Sequence, residues 1–99
     1  MAQQSPEQKV LECIDRGMGS LGESSKAAIY WHIEHTYGVA RGEIPRNAQK
    51  FRRSLEALFG LGAAVLERLI VMEIRSEFKI PSKVESLEEA IKKAMEGNK

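Results

Sequence analysis

The stretch that decides the fold is Phe51 to Phe78, FRRSLEALFGLGAAVLERLIVMEIRSEF. Gly60-Leu61-Gly62 splits it into two runs of apolar residues at helical spacing. In the first run Phe51, Leu55, Leu58 and Phe59 share one stripe, which predicts a helix over Ala48 to Phe59 ended by Gly60. In the second, Leu66, Leu69, Ile70 and Ile74 mark the main stripe, and Val65, Val71, Met72 and Phe78 widen it, which predicts a helix over Ala63 to Phe78. The second run is the most apolar in the chain and is expected to be central. The two together read as a helical hairpin that forms the core, with the other segments packed on it. Glu73 breaks the pattern, since on a helical wheel it falls between Leu66 and Leu69. A carboxylate inside an apolar arc needs a partner or a raised pKa. An arginine or tyrosine from another helix would satisfy it, and exposure at a groove or subunit interface is the alternative.

Working backwards from the hairpin, Val39 to Asn47 is a connection in which Pro45 disfavours helix at Ile44 and Asn47 is positioned to cap the next helix. Arg41, Arg46, Lys50, Arg52 and Arg53 crowd this region against the single acid Glu43. Such a patch could meet phosphates or an acidic partner. The simpler expectation is a solvated surface balanced by acids such as Glu85, Glu88 and Glu89, because no aromatic interleaves with these bases at the spacing of a single-strand binder.

Upstream lies KAAIYWHIEHTY, Lys26 to Tyr37, capped by Ser24 or Ser25 and stopped by Gly38. Ile29, Ile33 and Tyr37 line one face with Tyr30 beside them, whereas Trp31 projects about 200° from Ile33. The helix therefore has apolar groups on two sides. In so short a chain its own segments are expected to cover both, and the alternative places Trp31 against a partner. His32 and His35 are three residues apart, but two imidazoles are too few for a structural metal site and the sequence is not HExxH. No metal or other cofactor is expected.

The first helix opens at Ser5-Pro6-Glu7-Gln8, with Ser5 as cap and Pro6 at the first helical position. Val10, Leu11 and Ile14 form its stripe, Cys13 borders it as a small semi-buried hydrophobe, and Gly17 is a natural stop. Residues 1–4 are expected to fray. Gly17 to Gly22 reads as a flexible linker, since it matches neither phosphate-loop pattern and follows no strand. After the hairpin, Lys79 to Ser86 with Pro81 is a second connection. Ser86-Leu87-Glu88-Glu89 then opens a short last helix with Leu87, Ile91, Ala94 and Met95 on one stripe and Gly97 closing it. That helix docks on the hairpin or on another chain.

The fold class is therefore all-α, a bundle of four main helices plus a short C-terminal one, in a single domain of 99 residues. Fifteen basic against fourteen acidic residues give a net charge of +1, weak for a nucleic-acid binder unless the bases cluster. One cysteine cannot close an internal disulfide, MAQQSPEQK lacks the apolar region of a secretory signal, and no apolar run approaches the ~18 residues of a spanning helix. A cytoplasmic protein with no membrane contact is expected. No reaction can be named from these residues, and no enzyme is expected.

Several of these elements occur together elsewhere. IYWHIE (29–34), GEIP (42–45) with Phe51 six residues after the proline, LEALFGLGA (55–63) and ERLI (67–70) resemble the small archaeal family called the Nitrosopumilus output domain, fifth type. The likeness spans about positions 5 to 78 and rests on packing and turn features. It implies a signalling output module without known activity, and it assigns no catalytic residue. The expected function is an interaction module acting through a protein partner or a second copy of itself, as a homodimer, with Trp31, Arg46, Arg52, Arg53 and Glu73 as the candidate partner surface. The alternative is a nucleic-acid-binding regulator using the basic residues between 41 and 53.

Overall fold

A computed structural model describes residues 5–96; the expected fraying of residues 1–4 and the closure by Gly97 lie outside them. Among the described residues there are five α-helices and no strand: α1 (Pro6–Gly17), α2 (Glu23–Tyr37), α3 (Ala48–Phe59), α4 (Ala63–Phe78) and α5 (Leu87–Glu96). The all-α bundle stands as expected. Three 3-10 turns join the helices at Gly19–Leu21, Arg41–Arg46 and Gly60–Gly62.

Local chemistry sets most boundaries. The Ser5 hydroxyl accepts from the Gln8 amide at 3.1 Å, and Pro6 occupies the first turn, so α1 starts where it was expected. The Ser86 hydroxyl does the same for the Glu89 amide at 3.2 Å in front of α5. Gly38 closes α2 in the left-handed conformation at φ 74, which costs a glycine nothing. The start of α2 departs from expectation. The helix begins at Glu23, Gly22 stands at the cap position, and neither Ser24 nor Ser25 caps it. Gly22 has φ 88, so the turn into α2 uses backbone freedom in place of a side-chain cap. The connection before α3 is also more ordered than Pro45 suggested. Ala40 C=O accepts from Glu43 N–H and Ile44 C=O from Asn47 N–H, so the proline's missing donor falls between two tight turns. Burial of Ile44 and Val39 holds that segment down.

The packing order differs from a hairpin core. The main partner of α4 is α1, followed by α5, and the contact between α3 and α4 is smaller than either. A glycine explains the difference. A Cβ built on Gly17 would lie 2.7 Å from Ile70 Cγ1 and 2.8 Å from Ile70 Cα, so only a residue without a side chain lets α1 and α4 approach this closely. Gly17 is thus a packing residue as well as a helix stop. Met18 beside it is fully buried, so the Gly-rich stretch is part of the core and not a loose linker.

The core comprises Val10, Leu11, Cys13 and Ile14 from α1, Ile33 from α2, Phe51 and Leu55 from α3, Ala63, Leu66, Ile70, Val71 and Ile74 from α4, and Leu87, Ala90, Ile91 and Ala94 from α5. The C-terminal helix docks in cis, against α4, α3 and α1. Each fully buried Ile, Leu or Phe contributes roughly 1.5–3 kcal/mol, which places the weight of the fold on the α1–α4–α5 contact. By contrast, α2 buries only Ile33 completely. The described residues do not cover both sides of α2.

Candidate interaction surfaces

α4 is apolar around most of its circumference, and only part of that surface is covered. Ala63, Leu66, Ile70, Val71 and Ile74 face the core. Val65 is 63% exposed, Met72 50% and Leu69 36%, and Leu61, just before the helix, is 98% exposed. Val65, Leu69 and Met72 were expected in or beside the core stripe, and Leu61 only in the break between the helices. The spacing of these four, by four, four and three residues, instead places them together on the outward side, one above another. Successive residues on a helix turn by about 100°, so Arg68 and Arg75 border this strip on one side and Glu73 on the other. Beside the basic border runs a shallow groove of about 380 Å³ lined by Ala64, Glu67, Arg68, Val71, Arg75 and Glu85.

The two borders are held differently. Arg16 Nε donates to Glu73 Oε1 at 2.9 Å, and its Nη2 donates to Glu77 Oε1 at 3.4 Å. Glu73 is therefore a half-exposed acid satisfied by an arginine of α1. Arg75 Nη1 donates to the carbonyls of Ser82 (2.7 Å) and Val84 (3.1 Å), which pins the 79–86 connection to α4. Arg68 is exposed and forms no ion pair among the described residues.

Among the described residues, the buried carboxylate oxygen without a hydrogen bond belongs to a different glutamate. Glu67 Oε2 is buried without a hydrogen bond, and burial together with the negative charge of Glu56 raises its pKa. Glu73 looks buried in the sequence only if Leu69 belongs to the core. With Leu69 outside, the inward arc shifts and Glu67 falls in it, between Ile74 and Val71 on the wheel.

Trp31 stands 61% exposed on the outer side of α2, stacked on His35 with ring centroids 4.1 Å apart. His35 Nδ1 lies 2.9 Å from the Trp31 carbonyl, which can only accept, so Nδ1 carries the proton. His32 Nε2 turns to the Thr36 hydroxyl at 3.4 Å. The two imidazoles are thus engaged separately along one helix.

The basic residues are mostly neutralised. Arg41 Nη2 donates to Asp15 Oδ2 at 2.6 Å, and its guanidinium lies 5.6 Å from the centre of the Tyr30 ring. The Tyr30 hydroxyl donates to Asp15 Oδ1 at 2.6 Å. Burial acts to raise the Asp15 pKa, but these two donors outweigh it and hold the carboxyl below its ordinary value. Burial and the nearby Asp15 push the Tyr30 hydroxyl well above its own. Arg46 pairs with Glu7, and Arg52 bridges Glu88 of α5 and Glu56, the latter at 2.8 Å. Glu88 was one of the balancing acids expected from sequence. Lys50 and Arg53 are exposed and form no ion pair among the described residues. The five candidate residues are not brought together: Trp31 lies on α2, Arg46 reaches the start of α1, Arg52 and Arg53 lie on α3, and Glu73 joins the end of α1.

Cys13 is buried, and desolvation pushes its thiol up to about 11, so it stays protonated and unreactive near neutral pH. Its Sγ–H points to the Glu73 carbonyl at 3.6 Å. Among the described residues no helix is long and apolar enough to cross a membrane. No family model, curated protein or solved structure matches the chain.

Proposed function

We propose that this protein is a non-catalytic interaction module of the output type, acting in cytoplasmic signalling or regulation through protein–protein contacts that include self-association. The observation that carries this is the row of large apolar side chains, Leu61, Val65, Leu69 and Met72, standing in solvent on one face of the best-packed helix. Scattered exposed hydrophobes need no explanation, but a contiguous strip bordered by charge marks an interaction surface. Exposed Trp31 supplies a second anchor of the kind enriched in interfaces. The resemblance to the output-domain family supports the same reading. A nucleic-acid role has less support, because Arg41, Arg46 and Arg52 are each held by a carboxylate.

A photo-crosslinking amino acid in place of Val65, with the same group in place of exposed Gln49 as control, tests the proposal in cells. Defined protein adducts from position 65 and none from position 49 are the expected result. Equal labelling from both positions, or adducts to nucleic acid alone, would overturn it.

A further inference from the structure

The outer strip of α4 has a property that an arbitrary apolar patch lacks: its two borders complement each other. Gly62, Val65, Leu69, Met72 and Ser76 recur at spacings of three and four, and every one of them is exposed. Val65, Leu69 and Met72 at this spacing follow the a/d pattern of a coiled-coil seam, with Gly62 and Ser76 at its ends. On one side of that seam Arg68 and Arg75 occupy the position before each a residue. On the other side Glu73 occupies the position after Met72. Two α4 helices can meet along the seam in two ways. If they run antiparallel, each border faces its own copy, so Arg68 and Arg75 meet arginines and Glu73 meets Glu73. If they run parallel about a two-fold axis along the helix, each border faces the opposite one. Arg68 of one chain then lies five positions before Glu73 of the other, the spacing at which charges bridge a parallel seam.

We infer that the partner of this face is a second copy of the same chain, with the two α4 helices packed in parallel and Arg68 of each protomer paired with Glu73 of the other. This deepens the proposed function and rests on it, since it names the occupant of the surface assigned there. Arg68 is free to reach across. Glu73 keeps Oε1 for Arg16 and has Oε2 to offer. Arg16 thereby fixes the carboxylate beside the seam before the partner arrives. The strip is only about two heptads long, so the dimer belongs with weak, concentration-dependent associations.

Sedimentation equilibrium on the full chain tests this with two charge variants, Arg68→Glu and Glu73→Lys, whose helicity and melting are checked first by circular dichroism. Each variant alone places like charges opposite one another twice, and its self-association should weaken roughly tenfold. Mixed in equal amounts, they restore both opposite-charge pairs, and the heterodimer should recover wild-type affinity. Leu69→Cys, oxidised with glutathione disulfide, should form a 69–69 crosslink, because equivalent seam residues face each other only in the parallel arrangement. Cys13 is buried and stays out of this reaction. Preferential crosslinking of Leu69→Cys with Met72→Cys, an a-to-d contact of the antiparallel seam, over the 69–69 crosslink, or charge variants that fail to rescue each other, would overturn the inference. If the chain remains monomeric while the crosslinker at position 65 captures a different protein, the second-copy inference falls and the interaction module stands. If neither occurs, both fall.

Discussion

Gly17 shows how much one missing side chain decides. A Cβ there would collide with the backbone of Ile70, and backbone cannot swing aside as the tip of a side chain can. Gly17→Ala is expected to destabilise the protein by about 2–3 kcal/mol, measured by urea unfolding, although alanine is ordinarily the better helix former. Glu67 makes the opposite case. Its raised pKa means that the native state binds a proton more readily than the unfolded chain. Stability is therefore lost as pH rises from the unfolded carboxylate value through the native one, and stays lost above it. Glu67→Gln should remove that loss, since the amide can donate to Glu56. A gain of about 0.5 kcal/mol at pH 7, kept small by solvent at this half-buried site and vanishing below about pH 4, is expected from melts at several pH values. An equal gain at all pH values would separate the effect from titration.

At the scale of elements, connections matter as much as helices. The Arg75 side chain ties the 79–86 segment to α4 through the Ser82 and Val84 carbonyls, beside the Ile80 N–H bond to the Arg75 carbonyl and the buried Val84. Arg75→Ala should cost about 1–2 kcal/mol and speed amide exchange in 79–86 and at the start of α5 before it affects α1. The Asp15–Tyr30–Arg41 cluster does similar work for α2, which has little apolar contact to hold it. Because the Asp15 pKa is depressed, its contribution is present above the unfolded value and is lost as pH falls through the native one. Acid titration below about pH 4 is expected to release α2 first. Residue-resolved exchange would show it, and Asp15→Asn should remove the pH dependence. The boundaries of α3 and α4 were legible from Gly60, Gly62 and the apolar period. Which side of α4 faces inward was not. A helix apolar around its circumference offers several stripes, and the period cannot choose between them. The choice is made by Gly17, whose small size admits α1 against Ile70. That signal was present in the sequence, but it served there only as a helix stop.

At the scale of the whole molecule, α1 and α5 cover one side of α4 and leave the other side bare. The exposed strip follows from that arrangement, and so does the misreading of Val65, Leu69 and Met72 as core residues. A chain of this size has too few segments to wrap its most apolar helix on all sides. The uncovered face then becomes available to something outside the chain. Trp31 on α2 has the same origin, since α2 is covered on one side only. The basic residues between 41 and 53 were legible as a cluster, but their neutralisation by Glu7, Asp15 and Glu88 depends on tertiary placement that no local pattern carries. In the proposed function the bare face of α4 is where this protein makes its contacts, first of all with itself. Light scattering over a rising concentration series tests it most directly. The average mass of the wild type is expected to climb from 11.1 kDa toward twice that value, and that of a folded Val65→Glu variant to stay at 11.1 kDa. A wild-type mass constant at 11.1 kDa into the millimolar range, or a rise that Val65→Glu leaves unchanged, would contradict it.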